Sequence, residues 1–271
     1  IPINSALQLD ERELPIDPYV LGAWLGDGSS HAPMITLGEN KQHILERLHA
    51  AGYETKKLKN DLLYSFAGQG FLELIRENGL WKNKHIPAEY LRASEAQRLE
   101  LLRGLMDTDG FNLDGKSNTG VGIDLMNKQL AEDLVELVRT LGARCSINVG
   151  RTYLNGEDVG PRYRLVFNPV FEPFSPGSPK SKARPTSGAQ RARRTVRTVV
   201  SVEPAPTVPT QCVTVDSPRN LYLAGPEMLV THNSYSASRA VAWFVDVHDV
   251  HETTVVTTAT NWNQVKNVVW K

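Results

Sequence analysis

The chain has 271 residues, 41% of them hydrophobic, which is enough for one large domain or two modest ones with a buried core. Thirty basic residues balance thirty acidic ones, so net charge argues neither for nor against nucleic acid, and any such case must rest on local charge. Two cysteines, Cys145 and Cys212, exclude a disulfide framework and fit a reducing compartment; no apolar run approaches the roughly 18 residues that span a bilayer, and the start IPINSALQLD lacks the order of a secretion signal.

Residues 1–16 read as a lead-in without periodicity. Asp17 and Pro18 then form a helix start, with Asp as cap and Pro in the first turn. The helix that follows, through YVLGAWLGDGSS, carries a small-residue seam of Gly22, Ala23 and Gly26 and ends at Asp27-Gly28. Met34 to Leu37 reads as a strand. Glu39 to Ala51 reads as a helix with Ile44, Leu45 and Leu48 on one face, stopped by Gly52. Two strands, Tyr53 to Leu58 and Leu62 to Phe66, flank a turn at Lys59-Asn60-Asp61, and Phe71 to Arg76 is helical.

A basic stretch, Lys82-Asn83-Lys84-His85-Ile86-Pro87, separates this half from the next. The stretch LLRGLMDTDGFN then repeats the grammar of the first helix. Leu101, Leu102, Leu105 and Met106 fall at helical spacing, Gly104 permits close approach of another helix, and Asp109 stands at the exit before Gly110. Two helices pressed together through small residues would bring Asp27 and Asp109 side by side. A close carboxylate pair is a ready site for divalent cations that take oxygen ligands. A calcium loop at Asp107 to Asp114 is disfavoured, because Phe111 and Asn112 occupy the positions where such a loop needs Asp or Asn and then Gly.

After the second motif the order recurs more loosely. A strand spans Gly120 to Leu125 and a helix Lys128 to Leu141, with Leu130, Leu134, Leu137, Val138 and Leu141 inward; strands follow at Arg144 to Val149 and Tyr163 to Phe167. Residues 17–167 thus read as one pseudo-two-fold domain of mixed α and β structure, and two like halves suit a duplex. Residues 168–194 are rich in Pro, Ser and Gly and read as a linker. Their Lys180, Lys182 and Arg184, with Arg191, Arg193 and Arg194, could attract phosphate. From Thr195 the pattern turns to short β segments, including Cys212 to Asp216 and Leu221 to Leu223, and leads to Met228 to Ser234. Beyond lie a helix at Ser236 to Val247, a strand at Thr253 to Thr258 and a helix at Asn263 to Trp270; His248 and His251 read as a solvated turn.

Two motifs ending in Asp-Gly, 82 residues apart, resemble the paired motifs of LAGLIDADG homing endonucleases of the intein-encoded kind. The resemblance implies αββαββα repeats, a monomeric enzyme acting on double-stranded DNA, and Mg2+ or Mn2+ held by Asp27 and Asp109 as catalytic carboxylates. Lys84 matches the lysine of that family's Lys-x-Ile-Pro segment; its ammonium could stabilise phosphorane charge or tune a bound water.

Thr195 to Ser234 resembles the C-terminal splicing blocks of inteins, an all-β (HINT) segment expected over 195–233. The resemblance implies that Asn233 cyclises onto its own carbonyl and breaks the Asn233–Ser234 bond, that His232 relays protons, and that Ser234 holds the downstream flank as an ester. Cys212 and Thr231 look like two thirds of the class 3 Trp-Cys-Thr signature, in which the internal thiolate attacks the upstream junction. Asn220 stands where many inteins have a second His. Splicing blocks ahead of Pro18 are absent, so the expectation is that this chain needs the missing N-terminal intein segment to splice. Residues 234–271 read as an α/β ATPase fragment resembling the large subunit of phage terminases, with Ser234 as a Mg-binding serine. The expected location is the cytoplasm of a bacterial or phage-infected cell, and the alternative is a terminase fragment with an inactive intein remnant.

Overall fold

A computed structural model describes residues 3–59, 62–68, 70–113, 120–169 and 171–181 and, further on, 196, 197, 199–201, 203, 204, 206, 208, 209, 215, 216 and 221–231. It divides into two compact units, residues 3–196 and residues 1–2 with 197–271.

In the larger unit, α1 (Pro18–Asp27) starts as the sequence dictates: the Asp17 side chain accepts from the Val20 N–H at 3.1 Å, and Pro18 occupies the first turn. Next come β1 (Met34–Thr36), a 3-10 turn at Glu39–Lys41, α2 (Gln42–Ala50), β2 (Thr55–Lys57), β3 (Leu63–Phe66) and α3 (Phe71–Glu77). A short helix α4 (Ala88–Leu91) leads to α5 (Glu95–Asp109), then β4 (Gly110–Asn112), β5 (Val121–Leu125), α6 (Lys128–Thr140), β6 (Cys145–Leu154) and β7 (Glu157–Phe167). The second motif helix begins six residues before the motif. Ser94 and Gln97 close a capping box there, each side chain accepting from the other's backbone N–H at 3.1–3.3 Å.

Both sheets are antiparallel, with orders β1-β3-β2 and β4-β5-β7-β6. An isolated bridge from Gly28 to Ile35 stands in the first sheet where β4 pairs with β5 in the second. The two halves therefore share one order, and the fold is mixed α/β with a pseudo-two-fold relation between them. They meet along α1 and α5 without intervening side chains. A methyl group placed on Gly22 would sit 2.1 Å from the Leu101 carbonyl oxygen, and one on Gly104 would sit 2.3 Å from that of Tyr19. Tyr19 and Leu101 lie equally far ahead of Asp27 and Asp109, so the seam is reciprocal.

The core wraps this helix pair. Leu130, Leu134, Leu137 and Val138 are buried on α6, and Leu141 at its C-cap, as their spacing predicts. Arg98 is fully buried. Its guanidinium donates to the carbonyls of Ala93 (2.9 Å), Thr140 (2.7 Å) and Leu7, which ties the lead-in to the body. Among the described residues no helix is long and apolar enough to cross a membrane.

Two sequence expectations change. The hairpin after α6 was expected to end at Val149 and resume at Tyr163; instead β6 and β7 run ten and eleven residues and turn at Asn155-Gly156, both at positive φ. That dipeptide is the strongest short-range hairpin signal, and Gly150, Gly160 and Pro161 obscured it by reading as strand breakers. The second correction concerns 168–194, which does not behave as a linker over its first part. Phe174 and Ser175 have no exposure, Ser178 is buried, and Arg103 donates to the Glu172 carbonyl at 3.3 Å. Residues 171–181 thus pack on the body of the larger unit.

In the smaller unit, β8 (Tyr222–Ala224) pairs with β9 (Leu229–Thr231), and Arg197 pairs with Glu227 at 2.5 Å. Thr231 ends β9 opposite Tyr222. Cys212, His232, Asn233 and Ser234, the basic residues Lys182 and Arg184, and the flank 234–271 lie outside the described residues.

Candidate active site

Helices α1 and α5 both end on an aspartate. This runs against local preference, since a helix C-terminus carries partial negative charge and favours cations. Neither helix has a basic residue in its last turn. The positive charge comes from elsewhere in the chain. Lys84 Nζ donates to the carbonyls of Leu25 (2.9 Å), Gly26 (3.1 Å) and Gly28 (2.6 Å) at the end of α1. Lys180 Nζ donates to those of Met106 (3.3 Å), Asp107 (2.8 Å) and Thr108 (3.0 Å) at the end of α5. The two ammonium groups are pseudo-two-fold mates. Lys180, expected in a linker that attracts phosphate, stands instead beneath the second motif. Its signal in the sequence is indirect: a repeat that places one lysine under the first helix implies another under the second.

The seam brings the carboxylates together. Asp109 Oδ2 lies 3.3 Å from where a Cβ on Gly26 would be, one residue before Asp27. Asp109 reaches solvent at the end of α5, yet desolvation by the protein around it, then the Asp27 carboxylate, push it above the usual carboxylate range, while Lys41, Lys84 and Lys180 pull it back. Asp27 pairs with Lys41, a residue the sequence reading passed over, at the end of the 3-10 turn before α2. Burial holds Lys84 down to about 8, with Asp109 and Asp27 opposing, and the same cause lowers Lys180.

Behind this pair lies Asp107, fully buried. It accepts from Tyr19 Oη at 2.8 Å, from the Ser175 N–H at 3.1 Å and from the Ser175 hydroxyl. His43 Nε2 is 3.9 Å away and has no hydrogen-bond partner; burial lowers its affinity for a proton. In α1 the equivalent position is Leu25.

The second sheet carries polar side chains in register on one face. Asp124 and Arg164 form a two-point pair at 2.6–2.7 Å, the Arg164 guanidinium lies 5.5 Å from the Phe111 ring centroid, and Asn148 stands across from Arg164. The Phe111 ring lies over Gly122, where a side chain would collide with it.

The site fits a divalent cation of the oxygen-loving class. Its side-chain donors are two carboxylates, one of them destabilised in its charged form by the other. Among the described residues no group of three or more His, Cys, Asp or Glu side chains is arranged to hold a metal ion by itself. A cation here would complete its shell with water and phosphate oxygens, as Mg2+ commonly does.

No family model matches the chain. Over 230 residues, 84% of its length, it is 38% identical to a protein named replicative DNA helicase DnaB from Mycobacterium intracellulare, and it spans 37% of that relative. Among solved structures it is similar to I-DmoI in complex with DNA and Mn (19% identity, TM-score 0.39, covering 56% of this chain and 89% of that one). It is also similar to the N-terminal LAGLIDADG domain of DUF199/WhiA (13% identity, TM-score 0.34, covering 57% of this chain and 78% of that one).

Proposed function

We propose that this chain is a site-specific, metal-dependent DNA endonuclease carried within a protein-splicing element. The observation that carries the reading is the reciprocal construction of the site: two aspartates at the ends of two helices in backbone contact, each helix end held by its own half-buried lysine. A single strand of substrate would need only one such set. A pair related by a pseudo-two-fold axis suits a duplex, whose strands are related in the same way.

Bound between Asp27 and Asp109, Mg2+ or Mn2+ would supply an activated water and stabilise the leaving oxygen. The residues of the chain do the rest. Asp27 and Asp109 orient the donors of that site. Lys84 and Lys180 hold positive charge where phosphorane charge develops, in surroundings that cost no reorganisation. Lys41 offsets the charge of Asp27 before substrate arrives. The outer faces of the two sheets, with Arg164 and Asn148 in the second, would meet base edges and phosphates in the major groove. Asp27→Asn and Asp109→Asn should each abolish cleavage of the target with Mg2+ while DNA binding persists. Cleavage at the wild-type rate by both variants removes the reading.

The splicing reading rests on the sequence of residues 195–234, with β8 and β9 as its described part. Supplying an upstream half in trans should yield a ligated product and a break after Asn233, and Asn233→Ala should prevent both. Failure of the unmodified pair to break after Asn233 would end this reading and leave the nuclease untouched. The name of the relative favours a replicative DNA helicase as the interrupted host, over the terminase that residues 234–271 resemble.

A further inference from the structure

Asp107 is not needed to bind a cation in the reading above, yet it is the most fully engaged carboxylate in the site. A buried carboxylate is costly unless hydrogen bonds satisfy it. Three donors meet Asp107, and two of them, the backbone N–H and the hydroxyl, belong to Ser175. Ser175 lies in 171–181, a segment with no regular secondary structure and composition that favours none. Five residues on, the same segment presents Lys180 to the carbonyls of Met106, Asp107 and Thr108. The contacts on either side are weaker in kind: one donor from Arg103 to the Glu172 carbonyl, one from Asn112 to the Lys180 carbonyl at 2.8 Å, and the buried Phe174 ring. The first half needs no such clasp. Lys84 reaches α1 from a segment already held by Ile86, whose N–H donates to Asp133 at 2.8 Å, and the position equivalent to Asp107 is the apolar Leu25.

We propose that Asp107 is a positioning residue: by clasping Ser175 it fixes the path of residues 171–181 and so sets Lys180 under the end of α5. The claim deepens the nuclease reading and rests on it for its effect on cleavage, but the clasp itself can be tested without DNA or metal.

The first readout is the rate at which Lys180 is acetylated by an amine-reactive ester, followed by mass spectrometry on the whole chain, with exposed Lys56 as internal reference. Half-buried and held by three carbonyls, Lys180 should react at least about tenfold more slowly than Lys56 in the unmodified protein. Asp107→Leu, which installs the residue type of the other half, should bring Lys180 to the Lys56 rate. Ser175→Ala, which removes one arm of the clasp and leaves the fold's larger contacts, should move it part of the way. Tyr19→Phe, which takes a donor from Asp107 but leaves Ser175 attached, should not move it. Asp107→Asn retains one acceptor for the Ser175 N–H and should recover most of the protection.

The second readout is single-turnover cleavage with saturating enzyme. Asp107→Leu should slow it by about tenfold or more at unchanged DNA affinity, because a displaced ammonium loses most of its effect within about an ångström. In a Lys180→Met background the same change should cost less than about twofold, since both act through one group. Lys180 labelled at the wild-type rate in Asp107→Leu and Ser175→Ala, or penalties that multiply in the double variant, would overturn the proposal. An unmodified protein that cuts no DNA would instead sink the nuclease reading, while the labelling series would still decide the clasp.

Discussion

Gly22→Ala tests the construction of the site most directly. The added methyl would lie 2.1 Å from the Leu101 carbonyl oxygen and 3.1 Å from Gly104 Cα. Contacts of this kind settle beyond about 3 Å, so α1 and α5 must part by roughly 1 Å, or the α5 backbone must bend. Overpacking of this severity in a tight core costs about 1–3 kcal/mol or more. At Gly22 the nearest atoms are all backbone, with no flexible side chain to swing away, which places the cost near 3 kcal/mol. Urea denaturation gives this number directly. Gly150→Ala on β6 is the control, since the new methyl would meet nothing nearer than Arg162 at 3.5 Å, and it should shift stability by no more than about 0.5 kcal/mol. Because the helices carry Asp27 and Asp109 at their ends, the same separation should slow single-turnover cleavage by about 100-fold after correction for the folded fraction. A Gly22→Ala protein with unchanged stability and unchanged cleavage would show that the helices do not meet where the structure puts them, and the paired-carboxylate site would fall with that contact.

Lys84, held down to about 8, fixes the sign of a pH effect: if its ammonium stabilises developing charge, cleavage should fall as pH rises through about 8, whereas a rate that rises there would make the neutral amine a base instead. Since an unfolded lysine titrates near 10.5, the unfolded chain holds more protons between those values, and the native state should gain stability as pH rises across that window, measured by denaturation at each pH. Arg98→Met should destabilise the fold by about 3–5 kcal/mol, because the carbonyls of Leu7, Ala93 and Thr140 lose their donor, and hydrogen exchange around Leu7 should accelerate; a change below about 1 kcal/mol would show the guanidinium to be dispensable.

What the sequence made legible is what local rules encode. Asp17 and Pro18 mark the start of α1, spacing marks the buried face of α6, and the small residues before Asp27 and Asp109 mark two helices meant to touch. Each is a statement about neighbours within a few turns. Lys180 escaped because its three acceptors lie more than 70 residues away and its own neighbourhood is rich in Pro, Ser and Gly, a composition that ordinarily signals the lack of a core. The segment has no core of its own; it borrows one, inserting Phe174 into the core of the larger unit and hanging Ser175 on Asp107. Lys41 escaped for a similar reason, since nothing in a helix-start lysine announces a carboxylate 14 residues back. Asn155-Gly156 was legible and was overridden by breakers that the long hairpin accommodates with a register shift at Thr152–Tyr153.

The departures from local rule fall in one place. Acid at a helix C-terminus, cations desolvated against carbonyls, glycine inside two helices and a fully buried carboxylate each cost stability alone. Here each depends on the others: the glycines let the helices meet, the meeting puts the acids together, and the half-buried lysines make both the acids and the bare carbonyls tolerable. The halves repeat this frame but support it differently. One lysine is held through Ile86 on Asp133 and the other through Ser175 on Asp107, while Lys41 makes its ion pair with Asp27. A repeat that kept its frame and changed its supports would present two unequal faces to the two strands of a duplex. The second sheet, with its ten- and eleven-residue strands against three and four in the first, carries the same inequality out to the surface that would read the target.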